Sequence, residues 1–339
     1  MISLYVTSLE SGDGKTTFSA GIARLFQEAN KKVGFLKPVI AGPDATGNGY
    51  VDPDASFLQK ALSLAEPAGS VNVIAPADQL KSAFQKAASA LESKIDILVV
   101  EGLNLAGKNG ALAADLAKSL PARVILVARH NKDISPEKLI QAAGPVKDRL
   151  LGVIINGVPK SRLDKAKEGL AAPIEKASLR VLAMVPEDRV LFSVSVGDLA
   201  EALNGKVLVN ANRMDAIAEN FMLGAMTLES GKNYFNRKSN KVAIIRGERP
   251  DMMLAALHTS TVGIIATGDV KPSDQPMLEA EVKKVPVISV AKPTAEVAAA
   301  VEKVLAGARF RQVKKLDRLA DILGQTLDFK ALSKSLNVN

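Results

Sequence analysis

The run Ser11-Gly12-Asp13-Gly14-Lys15-Thr16-Thr17 has the residue types and order to handle phosphate. Backbone N–H groups of such a loop wrap a phosphate, a lysine in the position of Lys15 reaches the outer phosphates, and a hydroxyl in the position of Thr16 holds Mg²⁺. The pattern places a glycine five residues before Gly14, and this chain has Leu9 there. The flanks supply what the motif needs. Leu4-Tyr5-Val6 reads as a buried strand, and Phe18, Ile22, Leu25 and Phe26 recur on one face of a following helix.

Other polar residues stand just beyond apolar runs. Lys37-Pro38-Val39 follows the second run, and a lysine there could meet a transferring phosphate or an anionic substrate. Asp52 and Asp54 come next, and one of them could be a helix cap. Ile95-Asp96-Ile97-Leu98-Val99-Val100 ends in Glu101-Gly102, so Thr16, Asp54 and Glu101 together make an oxygen set suited to Mg²⁺. Gly152-Val153-Ile154-Ile155-Asn156 places an amide at another strand end, where it could bond a purine edge.

Positioning these groups requires a parallel sheet, whose strands deliver their carboxyl ends to one crevice. Short apolar runs alternate with helical segments, which predicts α/β architecture. Strands are expected at 2–7, 33–36, 71–74, 95–100, 123–128, 151–155, 180–184 and 207–209, then 241–245, 262–266 and 286–290. Helices are expected at 15–29, 54–63, 78–92, 110–119, 136–148 and 162–176, and later at 250–258, 276–284 and 294–305. Residues 213–235 also read as helical, and a boundary near residue 205 separates two domains from a tail at 306–339.

Composition narrows the chemistry. At 339 residues, with 47% hydrophobic and 24% charged side chains, the chain has material for about two globular domains. No leader precedes the first strand and no apolar run approaches a membrane span, so the cytoplasm is expected and a membrane is not. With no cysteine and only His130 and His258, thiolate and histidine metal sites are not expected. The net charge is +8, and half of it lies in the tail: Arg309, Arg311, Lys314, Lys315, Arg318, Lys330 and Lys334 against three aspartates. Val313, Leu316, Leu319, Leu323 and Leu327 make that tail an amphipathic helix with a solvated basic face. Three tyrosines and no tryptophan argue against nucleic acid as a partner.

In order and spacing, the phosphate loop, Lys37-Pro38, Asp54, Glu101-Gly102, Asn156 with Pro159, and Val185-Pro186-Glu187 resemble the dethiobiotin synthetase family over residues 1–205. The resemblance implies a doubly wound P-loop domain, usually dimeric, that uses ATP and Mg²⁺ to phosphorylate a carbamate and close a ring. It implies that Lys15 and Lys37 face phosphate, that Thr16, Asp54 and Glu101 hold Mg²⁺, and that Asn156 with Pro186 and Glu187 borders the purine. The family's substrate loop carries a serine where Ala41 stands, and Glu101-Gly102-Leu103-Asn104-Leu105 replaces the family's small residues with bulky ones.

Residues 213–305 resemble a DRTGG domain, a small α/β module. They do so through Arg213-Met214-Asp215, Gly224-Ala225-Met226, Ala243 to Asp251, and Ile264-Ile265-Ala266-Thr267-Gly268-Asp269. The signature is altered to Gly247-Glu248-Arg249 and Thr267-Gly268-Asp269, where Arg249 could meet an anion or pair with Asp251 or Asp269, the pairing being favoured slightly. The two modules in this order resemble the N-terminal half of long bacterial phosphate acetyltransferases. Because the chain stops at Asn339, acetyl transfer is not expected. Two functions follow from the resemblance: a nucleotide-dependent regulator or sensor, or an ATP-dependent ligase acting on an unknown carboxylate or amine. A partition-type ATPase would carry an extra lysine between Ser8 and Ser11, where there is none.

Overall fold

The computed structural model describes residues 1–42, 51–66, 68–225, 228–306, 310 and 312–338; Met226, Arg309 and Arg311 lie outside the described residues. The chain divides into two compact units, Met1–Asp188 with Val313–Asn339, and Arg189–Gln312. The division falls before the expected boundary near 205. The reason is packing: Val194, Val196, Leu199, Ala200 and Leu203 belong to the core of the second unit.

The first unit is built on seven strands: β1 (Ile2–Ser8), β2 (Val33–Ile40), β3 (Asn72–Ala75), β4 (Ile97–Asn104), β5 (Ala122–Arg129), β6 (Leu150–Val158) and β7 (Val181–Pro186). Their order is β3-β2-β4-β1-β5-β6-β7, and every pairing is parallel. Strands covered on both faces must be apolar throughout. Accordingly Leu4, Tyr5 and Val6 of β1 and Ile97 to Val100 of β4 are fully buried. The chain runs from β1 to β2 on one side and from β4 to β5 on the other, so the sheet changes direction around β1. Ligands of open parallel sheets bind outside the carboxyl ends of strands at such a point.

Helix α1 (Lys15–Glu28) follows β1 and buries Phe18, Ile22 and Phe26. The expected helix at 162–176 is interrupted. A π turn over Lys167–Ala171 joins Leu163–Ala166 to Ala172–Lys176, because Pro173 has no N–H to give to the carbonyl four residues earlier and its ring crowds that turn. The tail forms two helices, Val313–Thr326 and Phe329–Ser335, and both lie in the first unit. Leu319 and Leu323 pack where α1 carries Gly21; a Cβ on Gly21 would come within 2.6 Å of Leu319 and 2.8 Å of Leu323. The expected solvated basic face is therefore only partly so, since Lys315 is fully buried and Arg318 donates to Asp188 at 2.7 and 3.0 Å.

The second unit pairs β8 (Val194–Ser195) with β10 (Ile217–Ala218). Its main sheet has the order β11-β12-β13-β14-β9, from β9 (Lys206–Val209), β11 (Asn220–Leu223), β12 (Lys241–Arg246), β13 (Thr261–Thr267) and β14 (Val287–Val290), with β9 antiparallel. The helix expected over 213–235 is confined to Leu228–Phe235. Local periodicity gives way to strand pairing there: Ile217 pairs with Ser195 of β8, and Phe221 and Met222 of β11 pair with Val242 and Ala243 of β12. Among the described residues no helix is long and apolar enough to cross a membrane.

Candidate functional site

The loop from Leu9 to Gly14 leaves β1 and turns into α1. Gly12 and Gly14 have φ of 86° and 112°, a backbone open to glycine at little cost. Gly14 is also confined by its neighbour: a Cβ there would stand 2.8 Å from Asn156 Nδ2. Leu9 replaces the expected glycine without breaking the turn. Its N–H donates to the Val127 carbonyl at 3.1 Å, its carbonyl accepts from Ala106, and its side chain packs against the core beside β5 and β6. Ser11 and Gly12 are exposed, whereas Asp13 is buried with Oδ2 accepting from the Glu10 N–H at 2.7 Å. Burial raises the Asp13 carboxyl above its ordinary range, against the pull of the backbone N–H groups of Glu10 and Arg129. Thr17 lies in the first turn of α1.

Lys15, Thr16 and Glu101 come together at the start of α1. Thr16 Oγ1 donates to Glu101 Oε1 at 2.8 Å. Glu101 is 4% exposed and its Oε2 is buried without a hydrogen-bond partner. Burial raises the Glu101 carboxyl, opposed by the Lys37 ammonium and the Thr16 hydroxyl. Gly102 beside it could not be otherwise, since a Cβ would stand 2.2 Å from the ring of Tyr5, whose hydroxyl accepts from the Leu103 N–H. Burial lowers the pKa of Lys15, while Glu101 and Asp13 pull it upward.

Lys37 takes a different position from the one expected. The expected strand 33–36 extends to Ile40, so Lys37 lies within β2 where its pairing passes from β4 to β3. Its ammonium lies 3.0 Å from Asp52, 3.3 Å from Asp54 and 3.3 Å from Glu101. Burial alone would lower its pKa, but Glu101, Asp54 and Asp52 outweigh that and raise it. Asp52 is the helix cap: it accepts from the N–H groups of Asp54 and Ala55 at the start of α2 (Pro53–Ala61). Among the described residues no three His, Asp or Glu side chains are placed to hold a metal ion by themselves. The oxygen set of Thr16, Asp54 and Glu101 thus offers two carboxylates and a hydroxyl. Mg²⁺ would need phosphate and water for its remaining ligands at such a set, in which Glu101 Oε2 has no hydrogen-bond partner.

Asn156, at the end of β6, donates Nδ2 to the Asp13 carbonyl at 2.9 Å, so its amide braces the phosphate loop directly. Pro186 closes β7, and the Glu187 N–H donates to the Val158 carbonyl at 2.9 Å. These ties hold the loops after β6 and β7 beside each other.

In the second unit the loops after β12 and β13 share one edge, with Arg246 paired to Thr267 across the strands. Arg249 grips Asp251 with both nitrogens, at 2.9 and 2.7 Å, as expected. Arg246 pairs with Glu248, and Thr267 shares a hydrogen bond of 2.7 Å with Thr294.

Residues 3–195 match the AAA_26 family, described as an AAA domain, and residues 198–304 match the DRTGG domain. The chain belongs to the AAA_26 family. A phosphate acetyltransferase of Nitratidesulfovibrio vulgaris is 24% identical over 305 residues, covering 80% of this chain and 42% of the relative. The chain thus spans about two fifths of the length of that relative. An ATP-dependent dethiobiotin synthetase of Bacillus velezensis is 26% identical over 208 residues, 55% of this chain and 84% of the synthetase. Among solved structures, the MinC:MinD cell division complex of Aquifex aeolicus is 18% identical, with a TM-score of 0.40, covering 56% of this chain and 84% of that one.

Within the AAA_26 domain two contacts escaped the sequence reading. Lys15 Nζ donates to Asn104 Oδ1 and, at 3.1 Å, to Ser8 Oγ, and Ser8 Oγ lies 3.1 Å from Asn104 Oδ1. Ser8 and Asn104 are cross-strand partners of β1 and β4, a pairing that spacing along one sequence does not display. The substitution of small residues after Glu101 was the only signal in the chain.

Proposed function

We propose that the AAA_26 domain binds ATP with Mg²⁺ and that the chain is a nucleotide-dependent regulator. The observation that carries the reading is the convergence of Lys15, Thr16 and the half-satisfied, buried Glu101 at the amino end of α1. A helix amino end with a glycine-bearing loop favours an anion. When bound, Mg²⁺ would offset charge on the phosphates, held by Thr16 and Glu101 with Asp54 nearby. Lys15 would face the outer phosphates, and Asn156 would hold the loop while Pro186 and Glu187 border the base.

The position of Lys37 favours regulation over ligation. In a ligase of the dethiobiotin synthetase kind this lysine would face the transferred phosphoryl, whereas here three carboxylates surround its ammonium. The test is calorimetric binding of ATP and ADP to the full chain, with and without Mg²⁺. Lys15→Ala should weaken binding about a hundredfold, in line with the loss of a charged phosphate contact in a site shielded from water. Glu101→Gln should weaken only the Mg²⁺-dependent part. Equal affinity of the parent and Lys15→Ala would reject nucleotide binding at this loop. ADP release stimulated by bicarbonate with a panel of diamines and carboxylates would replace the regulator with a ligase.

A further inference from the structure

The amide of Asn104 is divided between two tasks. Its Oδ1 accepts from Lys15 Nζ, while among the described residues nothing accepts from its Nδ2. An amide bonded through its oxygen presents two N–H donors at its other end. Lys15 is in the complementary state. A lysine ammonium has three donors; two are given to Ser8 and Asn104, and one remains. Neither contact has to break for Lys15 to meet a phosphate, so the two side chains can present donors to the same anion. The backbone fixes this arrangement, because Ser8 and Asn104 are paired across β1 and β4, and Ser8 is fully buried with its own proton given to the Glu10 carbonyl at 2.6 Å.

We infer that Asn104 is a specificity-determining residue for the outermost phosphate of a nucleoside triphosphate, orienting Lys15 through Oδ1 and donating to the phosphate through Nδ2. The inference rests on the nucleotide reading above and adds to it a preference for ATP over ADP. Asn104 is half-buried, so with a diphosphate its Nδ2 donors are left to water, whereas a triphosphate gains their charge-assisted hydrogen bond.

The experiment compares ATP and ADP affinities, each with Mg²⁺, for the full-length parent, Asn104→Ala and Asn104→Asp, with thermal melting to show that each variant is folded. Asn104→Ala should weaken ATP about tenfold and ADP about threefold or less, so that the preference for ATP shrinks. Asn104→Asp keeps an acceptor for Lys15 but sets a negative charge against the phosphate, and should lose the preference entirely. Asn104→Ser, which keeps a shorter donor and acceptor, should recover part of it. A purely structural role would move both affinities together and leave their ratio alone. An unchanged ratio in Asn104→Ala and Asn104→Asp, or tighter ATP binding in Asn104→Ala, overturns the inference while nucleotide binding stands. A parent that binds neither nucleotide overturns both.

Discussion

Both units gather loops at the carboxyl ends of parallel strands, yet they treat charge in opposite ways. At the edge of the first sheet, Lys15, Lys37 and Glu101 sit in a crowded, shielded space, and one carboxylate oxygen of Glu101 is left without a partner. At the edge of the second, Arg246 with Glu248 and Arg249 with Asp251 are near-neighbour pairs within one loop, partly open to water. Buried groups with unmet bonds gain from an arriving ligand; surface pairs already satisfied by their neighbours gain little. The contrast separates an edge with an unmet buried acceptor from one whose signature residues are paired among themselves.

Three substitutions probe that contrast, in falling order of effect. Lys37→Met removes the shared cation of three carboxylates and should destabilise the chain by about 3 kcal/mol, measured by urea denaturation. The pH dependence has a fixed sign. Without Lys37, Glu101 keeps its proton in the folded state to a higher pH than in the unfolded chain, where it ionises near about 4.3. The folded state then binds the extra proton, so the deficit is smallest in acid and grows as pH rises through and above that value. A deficit that shrank towards neutral pH would contradict the burial of Glu101. In the parent, the raised pKa of Lys37 means its contribution persists through neutral pH and is lost only in alkali, above about 10.4.

Lys241 offers the intermediate case. It is fully buried in the second unit, donates to Thr259 Oγ1 at 2.7 Å and to the Ser260 carbonyl at 2.8 Å, and is lowered by burial to about 8. The folded chain releases this proton before the unfolded one, so parent stability should rise as pH climbs from about 8 towards about 10.4. Lys241→Met should abolish that rise and change stability at neutral pH by no more than about 1.5 kcal/mol. Thermal melts across the alkaline range distinguish the two. The smallest effect belongs to Arg249→Ala, whose partly exposed pair with Asp251 is worth about 0.5 kcal/mol. A loss several times larger would mean that the second edge is not self-contained.

Much of the first sheet was legible because strands covered on both faces must be apolar along their length, as at Ile97 to Val100. The phosphate loop was legible for a similar reason, since its glycines and Lys15 perform local tasks. What the sequence concealed depended on distant partners. β2 runs four residues past its expected end because β3 pairs with Lys37 to Ile40. Lys37 is surrounded by carboxylates from α2 and β4, and Asn104 meets Lys15 across two strands. The helical reading of 213–235 failed where edge pairing of β11 outweighed local periodicity. Pro173 was visible in the sequence, but not the widened turn that accommodates it.

The notch at Gly21 has a consequence for how the protein is made. The helix that carries Lys15 leaves the ribosome about 300 residues before Leu319 and Leu323, which lie over it. Domains made early ordinarily settle as units during synthesis. Here the first unit must wait, with an apolar face of α1 uncovered, until the entire second unit has been translated. A fragment cut after residue 304, where the DRTGG match ends, would carry every residue of the phosphate loop and still lack the cover on the helix behind it.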